Sequence, residues 1–148
     1  MPDLAAERVL IVEDEPATRT GLTELVRTWG FTAEAAVDGV EAIEKLASFR
    51  PSIVISDLMM PRMDGLELLR TIAAEGGGPA VILITGMDVH ESVGKAVEAM
   101  KAGAHDYFTK PTDYQRLRLV LEKLAERQGL RRENEVLRRR LRDQGRFG

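Results

Sequence analysis

Ile53-Val54-Ile55-Ser56-Asp57-Leu58-Met59-Met60-Pro61 decides how the rest of the chain is read. Its first half is short, apolar and rich in β-branched side chains, the signature of a buried strand. Met60-Pro61 then forces the chain out of it into a loop. Asp57 is thereby placed at the carboxyl end of a central strand, rigidly held yet facing solvent. A strand-terminal aspartate is also a common turn or cap residue, so its role depends on what the other strand ends carry.

Upstream, Arg8-Val9-Leu10-Ile11-Val12 has the same character and runs into three acids, Glu13-Asp14-Glu15. Pro16 suits the first turn of a helix, and Leu22, Leu25, Val26 and Trp29 recur at helical spacing until Gly30. Residues 31–36 read as a second strand, Asp38-Gly39 as a turn, and Ile43, Leu46 and Ala47 as the face of a second helix that ends before Pro51. Downstream, Arg62-Met63-Asp64-Gly65 is a turn, and Leu66, Leu69 and Ile72 line a third helix. After the loop Gly76-Gly77-Gly78-Pro79, residues 80–84 form an apolar fourth strand that ends at Thr85-Gly86. Val93, Ala96, Val97 and Met100 line a fourth helix closed by Gly103. Gly94 weakens that helix by roughly 1 kcal/mol relative to alanine, which marks it as a mobile element. Asp106-Tyr107-Phe108-Thr109 is a fifth strand leading into Lys110-Pro111, and Leu117, Leu121 and Leu124 begin a fifth helix.

Strands alternating with helices imply parallel pairing through right-handed crossovers, and strands apolar on both faces imply helices on both sides. The expected fold is α/β, a five-stranded, doubly wound parallel sheet with an extended C-terminal helix. In such sheets the functional crevice lies outside the carboxyl ends of the strands, at the switch point of strand order. Glu13, Asp14, Asp57, Thr85 and Lys110 all fall at those ends.

Composition bounds the rest. A chain of 148 residues suits one domain with an appended element, and 44% hydrophobic and 30% charged residues are globular values. An aromatic share of 5% leaves little to stack on nucleic-acid bases. There is no cysteine, which excludes disulfides, thiolate metal sites and a cysteine nucleophile. The first residues lack the basic and apolar regions of a secretory signal, and no apolar run reaches transmembrane length, so a cytoplasmic protein without membrane contact is expected. Residues 1–115 hold 10 Lys and Arg against 19 Asp and Glu, whereas residues 116–148 hold 11 against 5. An acidic body thus carries a basic tail, whose plainer reading is a solvated helix rather than a nucleic-acid contact.

Three converging carboxylates repel one another unless a cation sits among them. With only oxygen ligands on offer, Mg²⁺ suits the site better than zinc. Lys110 supplies a point charge and Thr85 a hydroxyl donor, which together describe a place for a phosphoryl group. Asp57 would attack phosphorus as a carboxylate nucleophile and become an acyl phosphate. Singly, each residue has a plainer role: Glu13, Asp14 and Thr85 as caps, Lys110 as a surface cation. Independent caps need not fall at the ends of four different strands. His90 and His105 have no metal-ligand spacing and are assigned no role.

These residues carry a resemblance to the receiver domains of two-component response regulators. It spans roughly residues 7–125 and rests on Val-Glu-Asp-Glu after the first strand, Ser-Asp-Leu-Met-Met-Pro around position 57, Asp-Gly at 64–65, Ile-Thr-Gly at 84–86 and Tyr-Phe-Thr-Lys-Pro at 107–111. The resemblance implies a flavodoxin-like strand order of 2-1-3-4-5 and an Asp57 that accepts phosphate from a histidine kinase. It implies Mg²⁺ held by Glu13, Asp14, Asp57 and the backbone carbonyl of Met59, with Asp14 a direct ligand. Thr85 becomes the switch hydroxyl, Tyr107 the switch aromatic and Lys110 the phosphoryl-binding lysine, followed by a cis peptide before Pro111. Glu13 replaces the first of two aspartates found in many members. Phosphorylation would draw the Thr85 hydroxyl inward, let Tyr107 fill the space, and reshape the face of the fourth helix, fifth strand and fifth helix. Met59 and Met87 are bulky, offer no group to position water, and so predict a long-lived acyl phosphate. An Asp-nucleophile phosphatase is disfavoured because Met59 stands where such enzymes keep a second acid. A receiver-like scaffold independent of phosphate would be expected to have lost Asp57, Thr85 or Lys110.

Residues 126–148 read as a helical linker beyond a receiver at 1–125. Leu130, Asn134, Leu137 and Leu141 are spaced as a coiled-coil seam with one polar position, which predicts homodimerisation through this helix or the fourth-helix face. Gly129 weakens the junction. The Leu-Arg-Arg-Glu-Asn phrase from Leu130 resembles the linker of NtrC-type transcription activators, which implies a role in regulating transcription. No Walker A or helix-turn-helix pattern is present, so no direct nucleic-acid contact is expected.

Overall fold

The computed structural model describes residues 3–86 and 89–145, the side chains of 89–92 and 145 excepted. After a single 3-10 turn at Leu4–Ala6, the elements alternate as β1 (Arg8–Val12), α1 (Pro16–Thr28), β2 (Thr32–Ala36), α2 (Gly39–Ser48), β3 (Ile53–Asp57), α3 (Gly65–Glu75), β4 (Ala80–Thr85), α4 (Val89–Lys101), β5 (Asp106–Thr109) and α5 (Tyr114–Gly145). The five strands form one sheet in the order β2-β1-β3-β4-β5, with every pairing parallel. This is the doubly wound topology expected from the sequence.

Alternation along each strand splits the core in two. Val9 and Ile11, Ile53 and Ile55, and Ile82 and Ile84 face α1 and α5, where they meet Leu22, Val26, Leu117 and Leu121. Leu10 and Val12, Val54, and Val81 and Leu83 face the other way, against Ala42, Leu66, Leu69 and Ala99 of α2, α3 and α4. Strands buried on both faces cannot show polar alternation, which is why they read as unbroken apolar runs.

Among the described residues, acids cap four helices, Asp113 capping α5 through Arg116 N–H at 3.1 Å. Glu15 caps α1 by accepting from the N–H groups of Ala17 and Thr18 at 3.1 and 2.6 Å. Asp38 caps α2 through Glu41 N–H at 2.9 Å, and Asp64 caps α3 through Glu67 N–H at 2.8 Å. The helix α5 runs unbroken through Gly129 for 32 residues. Packing on the body up to Arg132 overrides a local preference that costs roughly 1 kcal/mol.

Candidate functional site

β1 and β3 are neighbours at the point where strand order reverses, so their carboxyl ends open onto one crevice. Glu13 and Asp14 follow β1 directly, and Asp57 is the last residue of β3. Because Glu15 takes the cap of α1, the two acids before it are free for other work. Carboxylate oxygens of Glu13, Asp14 and Asp57 lie within 4.8 Å of one another. Arg19, one turn into α1, donates to the carbonyls of Glu13 and Asp14 at 3.0 and 3.2 Å and steadies the loop that carries them.

On the other wall, Lys110 follows β5 and reaches across β4. Its ammonium donates to Asp57 Oδ2 and to Glu13 Oε1, each at 3.2 Å. The Lys110 N–H also donates to the Thr85 carbonyl at 2.7 Å, which ties the ends of β4 and β5 together. The Lys110–Pro111 bond is cis, as the resemblance implies. Thr85 is fully buried at the end of β4. The Tyr107 ring packs on the α4 side of the sheet, and its hydroxyl is buried.

Electrostatics identify what the crevice wants. Burial, and then the neighbouring Asp57 carboxyl, push Glu13 up to about 7 against the opposing pull of Lys110. Burial pulls the Lys110 ammonium down, but Asp57 and Glu13 outweigh it and hold its pKa above the ordinary lysine value. Burial likewise pushes the Tyr107 phenol up, with Thr85 the opposing neighbour. One lysine thus faces an excess of carboxylate. Glu13 Oε2 is buried without a hydrogen-bond partner among the described residues, and an unsatisfied buried carboxylate oxygen of this kind asks for a cation. Hard oxygen donors at these separations fit Mg²⁺.

The loop after Asp57 is shaped by close contacts. Met59 N–H donates to Asp57 Oδ1 at 3.2 Å, and Gly65 N–H donates to the Leu58 carbonyl at 2.9 Å. Arg62 takes a left-handed φ of 68° and reaches Asp38 Oδ2 through Nε at 2.8 Å and through a second guanidinium nitrogen. That clasp from the β3–α3 loop to the start of α2 went unread in the sequence, because nothing local pairs residues 24 apart. Beside these groups a half-open pocket of about 220 Å³ is lined by Val12, Leu22, Ile55, Ile84 and Pro111 together with Glu13, Asp57 and Lys110 themselves. Met87, the other residue expected to shape the phosphate's lifetime, lies outside the described residues.

A family model for the response regulator receiver domain matches residues 9–122. The chain belongs to that family. A receiver is the phosphorylation-dependent signalling switch of a response regulator. Over 104 residues the receiver is 42% identical to the response regulator MprA of Mycobacterium ulcerans (strain Agy99), covering 70% of this chain and 44% of that protein. It therefore spans less than half the length of the curated relatives it matches. A response regulator receiver domain protein from Clostridium thermocellum superposes with a TM-score of 0.76 at 28% identity, covering 84% of this chain and 98% of that one. The receiver of a signal transduction histidine kinase from Syntrophus aciditrophicus gives 0.73 at 32% identity, covering 81% and 90%. Among the described residues no helix is long and apolar enough to cross a membrane.

Proposed function

We propose that Asp57 of this receiver accepts a phosphoryl group from a histidine kinase, in the cytoplasm, and that the modified protein regulates transcription through a longer protein or a partner. The observation that carries this reading is the meeting of Asp57, Glu13 and Lys110, 3.2 Å from ammonium to each carboxylate, from residues 97 and 53 positions apart in sequence. Glu13, Asp14, Asp57 and the Met59 carbonyl would hold Mg²⁺. When bound, the ion neutralises charge on the phosphoryl oxygens. Asp57 supplies the oxygen that bonds to phosphorus as the P–N bond of the kinase's phosphohistidine breaks and its imidazole leaves, Lys110 holds the oxygen that accumulates charge beside it, and the Thr85 hydroxyl reads the new group. Tyr107, with its hydroxyl buried on the α4 side, relays the Thr85 shift to α4, β5 and α5.

The chain is a switch rather than an enzyme, because Met59 offers no acid where a phosphatase needs one. Met59 is 59% exposed and apolar, and it offers no group to position an attacking water beside the acyl phosphate. The chain self-associates through the α4–β5–α5 face or the extension of α5, and phosphorylation alters that association. Incubation with Mg²⁺ and a small acyl phosphate tests the assignment by intact mass. One phosphoryl group is expected on the native chain and none on Asp57→Asn. A native chain that stays unmodified, or a modification mapped elsewhere, would move the protein to a phosphate-independent scaffold.

A further inference from the structure

The extension of α5 has two faces with different occupants. Toward its own body, the buried stripe Leu117, Leu121, Leu124 and Ala125 continues into Gln128 and Arg132. The Gln128 amide donates to the Ser52 carbonyl at 2.9 Å, and the Arg132 guanidinium meets the fully buried Glu7 carboxylate. Past that anchor the helix leaves the body, and every residue from 130 to 144 is exposed. Leu130, Leu137 and Leu141 are 59, 51 and 68% exposed. With Leu130 and Leu137 at heptad position d, and Asn134 and Leu141 at a, Gln128 falls at b and Arg132 at f. Those positions lie on the opposite side of the helix from the a/d seam, so the contacts with the body turn the seam outward. A lone helical segment this short is marginal in water and needs packing on its apolar face.

We infer that the outward seam is covered by the same seam of a second copy of this chain, the two helices parallel and in register with Asn134 against Asn134. Charge chooses the partner and the orientation. Glu126 and Glu133 fall at g, and Arg131 and Arg138 at the e positions of the following heptads. A parallel pair sets each of these glutamates beside an arginine of the other copy. An antiparallel pair sets e against e and g against g, which brings Arg131 to Arg138 of the other copy, leaves Glu126 without an arginine and keeps only the pairing of Glu133 with Arg140, whereas the parallel pair satisfies both glutamates and both e-position arginines. Asn134 at a fixes the register, since a buried amide is satisfied by its own counterpart and by no leucine. The inference rests on the self-association proposed above and narrows it to one surface and one direction.

The absence of cysteine makes single thiols clean reporters. In the full chain, Leu130→Cys and Leu141→Cys, each alone under mild oxidation, are expected to give covalent dimers roughly tenfold faster than Glu135→Cys on the outer b position. Crosslinking of the first two only when they are mixed would mean an antiparallel pair, and crosslinking no faster than Glu135→Cys would mean no pairing here. Either outcome overturns the inference. Arg131→Glu with Arg138→Glu is expected to weaken association in sedimentation by about tenfold or more. Adding Glu126→Arg and Glu133→Arg should restore it. Association unchanged by the first pair of substitutions also overturns the inference and assigns the dimer to the α4–β5–α5 face. Phosphoryl uptake by Asp57, followed by mass in the same variants, stands or falls separately.

Discussion

Gly65 shows how tightly a single position governs the site. A Cβ built there would lie 2.5 Å from the Asp57 carbonyl and 2.9 Å from Leu58 Cα, both backbone atoms that cannot swing aside. Gly65→Ala is therefore expected to cost about 1–3 kcal/mol of stability. Denaturant unfolding checks this, and phosphoryl uptake should slow in parallel because the strand end carrying Asp57 must shift. The residues of the crevice were legible only together, since Glu13, Asp57 and Thr85 each end an apolar run and Lys110 follows a fifth strand, while each alone has a plainer role. Glu7 was not, because an acid before a strand reads as a surface residue and its partner Arg132 lies 125 positions away.

The β3–α3 loop and α2 behave as one element because of the clasp between them. Asp38 caps α2 and accepts from Arg62, and a Cβ at Gly39 would sit 2.8 Å from the Met63 side chain. The Glu41 N–H and then the Arg62 guanidinium hold Asp38 below the usual carboxylate range. A depressed folded pKa contributes stability above the unfolded value, near 3.9, and loses it as the pH falls through the folded value. Asp38→Ala is thus expected to cost about 1 kcal/mol at pH 7. Asp38→Asn keeps a capping oxygen, costs less, and should approach the native chain as the pH falls from about 4 through the lower folded value. Unfolding curves at both pH values check the sign, and a penalty that grows on acidification would contradict it. The helices themselves were legible from apolar spacing and caps, whereas this clasp needs a left-handed arginine that no sequence pattern announces.

At the scale of the whole molecule, the pole opposite Asp57 is where receiver and linker become inseparable. The sequence divides them after residue 125, and the family match ends at residue 122. The fold crosses that division with Gln128 bonded to the Ser52 carbonyl and Arg132 to Glu7, itself buried at 0% exposure and bonded by the Ser52 hydroxyl at 2.6 Å. A chain cut after residue 125 keeps every strand and the whole crevice, yet leaves a buried carboxylate with one hydroxyl for company. Removing a charged partner from a buried group costs about 1–3 kcal/mol, so the cut chain should unfold at lower denaturant while still taking up phosphate at Asp57. Glu7→Gln separates this cause from lost helix packing. It removes the unpaired charge, so its cost should be smaller in the cut chain than in the full one, or reversed. Equal costs in the two backgrounds would mean that Arg132 and Glu7 are not coupled, and that the linker rests on the body through Gln128 and apolar contact alone.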